Sequence, residues 1–221
     1  MWTLKQTNLR EQAREVIRAS IVGGELVPGE VYSATALSIR LGVSQTPVRE
    51  AMLDLANDGL VEPVRNRGFR VLTVADSDLD EISELRKMIE VPAVRLVVEK
   101  ASNADFDALE GALAPLEQAA ARNDLAGFLR ADREFHLALL SLAGNRRLVR
   151  LVGQLRDQAR LTGLKAIADS GLLFSSAEEH RLILDALRAR DVRQAETLVR
   201  RHLEHTRGKW AGRSEREHDL S

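Results

Sequence analysis

Residues 26–71 read LVPGEVYSATALSIRLGVSQTPVREAMLDLANDGLVEPVRNRGFRV, and their punctuation decides the fold of the N-terminal third. Val27-Pro28-Gly29-Glu30 spells a turn. Ser33 is placed to cap a short helix over 34–41 that stops at Gly42. Past Val43, Ser44 is the expected N-cap of a further helix, with Pro47 tolerated in its first turn, where no intrahelical N–H is needed. That helix runs to Asn57 or Asp58, before Gly59. Leu60-Val61-Glu62 and Phe69–Val74, joined by a turn from Pro63 to Gly68, form a two-stranded hairpin. Two short helices about a glycine turn, then a hairpin, describe a winged helix-turn-helix. Upstream, Leu9, Ala13, Val16, Ile17 and Ile21 recur at helical spacing over 8–22 and end at Gly23-Gly24.

A helix that enters a DNA major groove, about 12 Å wide, carries short polar and guanidinium groups on its first turn. Here that turn is Ser44-Gln45-Thr46-Pro47-Val48-Arg49. Val48, Met52 and Leu55 face inward, leaving Gln45, Thr46 and Arg49 for DNA, and the first backbone N–H groups can face a phosphate. Taken alone, the stretch is equally an ordinary capped helix with a solvated arginine. Bulk charge does not decide between them. The chain carries a net charge of −1, residues 1–75 hold 9 Lys+Arg against 8 Asp+Glu, and the remainder holds 23 against 25. A DNA-binding reading therefore rests on pattern.

The 221 residues leave room for one large or two small domains, and 44% apolar content suffices for a core. No apolar run approaches the roughly 18 residues that span a bilayer, and MWTLKQTNLREQAREVIR is too charged for a secretory signal. With no cysteine there is no disulfide framework and no thiolate ligand, so any transition-metal site must use His and carboxylates. A cytoplasmic protein with no membrane partner is expected. From Asp76 onward no strand signal survives, and an antiparallel bundle of about six helices is expected at 78–100, 105–122, 124–143, 146–168, 176–190 and 192–208. Asp124 and Asp191 precede periodic runs, Ser176 with Glu179 spells a capping box, and Pro92 predicts a kink. The domains are thus 1–75 and 76–208, with a polar tail over 209–221.

Three of the five histidines stand where leucine is expected. In 124–143 the core stripe is Leu125, Phe128, Leu129, Asp132, His136, Leu139 and Leu140. His180 aligns with Ile183, Leu184 and Leu187, and His202 with Ala195, Leu198 and Val199. One such residue alone is more often hydrogen-bonded to a neighbour, and Asp132 with His136 is also a plain i, i+4 pair. Four together, each costing roughly 1–3 kcal/mol if buried without a partner, favour a shared ion. One carboxylate and three imidazoles suit a divalent first-row metal: zinc first, with nickel, manganese or iron as alternatives. Because the imidazoles must be neutral to bind, affinity is expected to fall below about pH 6.5. Arg86 shares a face with Ile82, Ile89 and Ala93; it is either a surface i, i+4 partner of Glu90 or a fork for a carboxylate.

The PGE turn, LGVS, TPVREA, DGLV and NRG recur in the order and spacing of the DNA-binding domain of GntR-type bacterial transcription regulators, which residues 8–74 closely resemble. The resemblance implies a homodimer on a short palindromic operator in double-stranded DNA, recognition helix in the major groove, wing tip near the minor groove. It assigns DNA contacts to Thr35, Ser44, Gln45, Thr46, Arg49, Arg67 and Gly68. Gln45 and Thr35 depart from the family, which favours Arg at the first position and commonly Arg or another charged residue at the second. Gln pairs with adenine where Arg pairs with guanine, so the operator base facing Gln45 is expected to differ from the family's guanine. Residues 78–206 resemble the smaller form of the FCD-type effector domain, through Leu85-Arg86 with Glu90, Asp132-x3-His136, Ala143-Gly144-Asn145, Glu179-His180 and His202. That resemblance implies a metal on Asp132, His136, His180 and His202, and an effector contact at Arg86.

Three functions compete. The first is a regulator whose operator affinity responds to a small organic acid bound at the metal. The second is a direct metal sensor. The third is a metal-dependent hydrolase, disfavoured because no general base stands on these stripes and a DNA reader is attached. An enzyme is not expected.

Overall fold

Two helices hinged on Gly42 organise the first unit of the computed structural model, which describes residues 7–161 and 172–210 and divides at Val74/Ala75 into two units. The first unit runs α1 (Thr7–Val22), β1 (Val31–Tyr32), α2 (Ala34–Leu41), α3 (Gln45–Asn57), β2 (Val61–Val64) and β3 (Gly68–Val71). Ser33 Oγ accepts the Ala36 N–H at 3.1 Å, so the expected cap of α2 forms. Gly42 closes that helix in the left-handed region at φ 66°, where a side chain would be strained. Ser44 holds the N-cap position of α3, but its side chain makes no capping bond. Val48, Ala51, Met52 and Leu55 are fully buried, and burial of a side chain of Val, Met or Leu size contributes about 1.5–3 kcal/mol. Packing, not capping, therefore seats α3.

The hairpin is a three-stranded sheet of order β1-β3-β2, all antiparallel. Val31-Tyr32, between the turn and the Ser33 cap, pairs with Arg70 and Phe69 as an edge strand. Pro63 and Val64 belong to β2 and not to the turn, since Pro63 faces Phe69 and Val64 faces Gly68. Proline is tolerated there because β2 is an edge strand. β3 ends at Val71, short of the expected Val74. At φ 134°, Gly68 is obligatory: a Cβ would collide with the Tyr32 carbonyl of the neighbouring strand. Across the unit, Arg10 grips Asp54 with two bonds and Arg14 reaches Asp58 at 2.8 Å, tying successive turns of α1 and α3.

The second unit contains six helices among the described residues: α4 (Asp76–Lys100), α5 (Asn103–Ala121), α6 (Leu125–Ser141), α7 (Arg146–Ala159), α8 (Leu172–Arg188) and α9 (Val192–Trp210). α5 lies on α6 and α8, α9 on α4 and α8, and α7 on α4 and α6. Asp124 accepts the Gly127 N–H at 2.9 Å and Asp191 the Gln194 N–H at 2.9 Å, so both expected caps form. Ser102 and Asp105 form a reciprocal capping box on α5 that the sequence reading passed over. The Ser176–Glu179 box does not form. α8 already begins at Leu172, placing Ser176 inside it, and Glu179 turns across to α9. α4 continues through Pro92 as one helix, and α5 likewise through Pro115. α7 ends at Ala159 with Arg160 as its C-cap; residues 162–168 of the expected helix, and 211–221 of the tail, lie outside the described residues.

Candidate metal centre and nucleic-acid interface

α6 presents Asp132 and His136 one turn apart on its buried face, α8 presents His180, and α9 presents His202. All four are at most 3% exposed, and one ligand atom from each lies within 4.8 Å of the others. His136 Nε2 and His180 Nε2 are 2.9 Å apart; His180 Nε2 is 3.0 Å and His136 Nε2 3.7 Å from Asp132 Oδ1. The far nitrogens set the tautomers. His180 Nδ1 donates to the Ser176 carbonyl at 2.6 Å, and His202 Nδ1 to the Glu179 carboxylate at 2.8 Å. A neutral imidazole that donates from Nδ1 has a bare lone pair at Nε2. With its Nδ1 proton committed to Ser176, a neutral His180 turns its Nε2 lone pair toward the Asp132 carboxylate, and a protonated one donates to it. A cation at that point resolves the contact, so the donor set fits a divalent ion. Phe128 and Phe135 stand edge-on to the imidazoles and keep the centre dry.

Burial pushes the Asp132 carboxyl up, but the Arg156 and Arg160 guanidinium groups and the bond to His180 outweigh it, holding the group well below the usual carboxylate range. Arg156 Nη2 reaches Asp132 Oδ2 at 2.7 Å, and Arg160 Nη2 bonds the same oxygen while its Nη1 donates to the Leu129 carbonyl. Burial, with Arg156 adding to it, holds His136 well below the ordinary imidazole value. Burial and then His180 push His202 down to about 4, against Glu179. Burial raises Glu179, yet the bonds from His202 and His205 bring it down to about 2. A metal held by His136 and His202 would therefore be lost to acid only below pH 6.5.

These shifts carry a stability prediction for the chelated protein. An unfolded imidazole titrates near 6.5. Between pH 6.5 and about 4 the unfolded chain therefore binds a proton that folded His202 does not. Its contribution is fully present above pH 6.5 and is lost as pH falls through about 4, a loss of about 3 kcal/mol. Urea unfolding of metal-free protein should give a free energy that declines steadily below pH 6.5; a flat profile down to pH 4.5 contradicts it.

Arg86 is buried, not at the surface, and its Nε donates to Glu90 at 2.6 Å. Burial pulls its guanidinium down from the ordinary arginine range, with Glu90 opposing. Its Nη2 is buried without a hydrogen-bond partner among the described residues. The sequence patterns assign no site role to Arg156, Arg160 or Arg207, and to Glu179 only a capping box and a place in the Glu179-His180 motif. Arg156, and Arg160 at the C-cap of α7, continue the face of Val152, but a long charged side chain on such a stripe does not by itself mark an enclosed head.

In the first unit, Thr35, Gln45, Thr46, Arg49, Arg67 and Gly68 line one open groove between α3 and the β2–β3 wing; Ser44 is exposed beside it. Arg65, missed in sequence, lines the groove as well. Glu50 is its one carboxylate against three guanidinium groups.

Residues 9–71 match the family described as bacterial regulatory proteins, gntR family, and residues 81–205 match the FCD domain. A probable D-xylose utilization operon transcriptional repressor of Paenarthrobacter nicotinovorans is 32% identical over 90% of this chain and 88% of its own length. The HTH-type transcriptional regulator McbR of Escherichia coli (strain K12) is 30% identical over 85% of this chain and 86% of its own. The solved structure of E. coli McbR/YncC superposes with a TM-score of 0.81 at 27% identity, covering 93% of this chain and 95% of that one. No helix among the described residues is long and apolar enough to cross a membrane. The relatives are transcription regulators rather than enzymes, and this chain belongs to the GntR family of bacterial regulatory proteins with an FCD domain, a DNA-binding transcription regulator.

Proposed function

We propose that the affinity of this regulator for its operator is set by a small organic acid bound beside a divalent metal, zinc first, on Asp132, His136, His180 and His202. One observation carries the reading. Four buried donors converge within 4.8 Å, and Arg156 and Arg160, which hold Asp132, also line a cavity containing the unpartnered Arg86 nitrogen. When bound, the metal supplies a Lewis-acid contact for a carboxylate; Arg86 supplies a hydrogen-bonding counter-charge. Residues 76–208 form the effector unit and residues 1–75 the DNA reader. Arg49 and Gln45 contact base edges, Ser44, Thr46 and Thr35 lie near phosphate, and Arg67 with Gly68 forms the wing tip. The homodimer implied by a palindromic site finds support in α4, whose Leu85, Met88 and Leu96 are exposed at spacings of three and eight residues.

Operator titrations on full-length protein test this directly. Metal-loaded protein should change affinity about 5–150-fold on adding the right acid, and chelated protein should not respond. A response to metal alone supports direct metal sensing instead. Native protein that neither contains nor takes up a first-row metal ends the proposal. Arg49→Ala should weaken operator binding by about 1–3 kcal/mol with an unchanged unfolding midpoint; intact affinity removes α3 from the groove.

A further inference from the structure

Glu50 differs from the other acids of its helix. α1 and α3 run in step: Arg10 bonds Asp54 through Nε and Nη2, and four residues on, Arg14 bonds Asp58. One turn before Asp54, the same stripe of α3 carries Glu50. It makes no hydrogen bond or ion pair among the described residues. Its electrostatic neighbour is Arg10, whose guanidinium Asp54 already holds. Glu50 is exposed and lines the groove between α3 and the wing, with Gln45, Thr46 and Arg49 of its own helix and Arg65 and Arg67 of the wing. Three guanidinium groups thus share the groove with Glu50, and it bonds none of them. Arg49, next to it in the chain, leaves the helix about 100° away, and consecutive helical positions do not face each other.

A free carboxylate on a surface that approaches phosphates is unfavourable. It repels the backbone, and it gives up water when the groove closes on DNA. A donor on the DNA offsets both losses. The major groove offers two exocyclic amines, adenine N6 and cytosine N4. Adenine flanks its amine with the N7 acceptor, which a carboxylate oxygen opposes, while guanine O6 and thymine O4 are acceptors themselves. Cytosine presents N4 with no acceptor beside it on its own edge, so a carboxylate selects cytosine.

We infer that Glu50 is a specificity-determining residue, accepting a hydrogen bond from cytosine N4 at one position of the operator. This inference rests on α3 entering the major groove, and it adds a cytosine to the bases read by Gln45 and Arg49. The same charge lowers affinity for every duplex that lacks that cytosine.

The test starts from an operator selected out of randomised duplexes by full-length protein, each base pair of which is then replaced in turn. Wild-type protein should prefer cytosine at one position, or at that position and its palindromic mate, by at least about fivefold. Glu50→Gln should shift that preference to adenine, which an amide bonds at N6 and N7, and leave the other positions unchanged. Its affinity for a scrambled duplex should rise. Glu50→Ala should erase the preference for cytosine without creating one for adenine. A wild-type panel with no cytosine-dependent position overturns the inference. A Glu50→Gln panel of unchanged shape also overturns it, and a lowered unfolding midpoint in that case assigns Glu50 to the seating of α1. If Arg49→Ala leaves operator affinity intact, the placement of α3 fails, and the Glu50 contact fails with it.

Discussion

Asp132→Ala is expected to cost the metal-free protein about 3–5 kcal/mol of unfolding free energy, the toll for removing one partner of a buried ion pair. The carboxylate holds two guanidinium groups, Arg156 and Arg160, each at most 5% exposed. Without it, Arg156 keeps only the 3.4 Å contact to Glu90 among its direct carboxylate partners. Arg160 loses its bond to Asp132, while its bond to the Leu129 carbonyl remains. Urea unfolding of chelated wild type and variant measures the difference; a change below about 1 kcal/mol would mean that water or relaxation compensates the arginines. Because the comparison is made without metal, it separates the ion-pair role of Asp132 from its donor role.

Metal should have an effect of similar size and opposite sign. An ion bound only by the folded state stabilises it by about 4 kcal/mol at a thousandfold excess over its dissociation constant. Zinc titrated into chelated protein should raise the unfolding midpoint with each decade of free metal. His180→Ala should abolish the rise, since His180 contacts both Asp132 and His136 and is itself fully buried. An equal rise in wild type and variant would place the ion elsewhere. His205 makes a useful control. It is a third exposed and bonds Glu179 rather than the cluster, so its replacement should leave most of the effect.

The parts of the molecule legible in sequence share a cause. Asp132, His136, His180 and His202 stood out because imidazole and a short carboxylate are anomalous on apolar stripes. Arg156, Arg160 and Glu90 were muted, because long charged side chains often cover an apolar face with their stems while the head stays wet. Only the fold shows that these heads are enclosed. β1 was invisible for a different reason. Two residues cannot show an alternation, and Val31-Tyr32 becomes a strand only because β3 arrives beside it. The Ser176–Glu179 box failed through competition: the local pattern was present, but His202 and His205 offer Glu179 charge-assisted bonds that a helix terminus does not. Glu179 thereby fixes the tautomer of His202, a role for which the pattern carried no sign.

The anchoring of α3 bears on how ionic strength acts. Its inner face is held by Val48, Ala51, Met52 and Leu55, all fully buried, while the Arg10–Asp54 and Arg14–Asp58 bridges are partly solvated. Solvated bridges contribute little, and salt screens them further; apolar anchorage is indifferent to screening. Rising salt therefore strips protein from phosphates without re-aiming the helix. The gradient of log affinity against log salt concentration then counts phosphates engaged, at about 0.9 per contact.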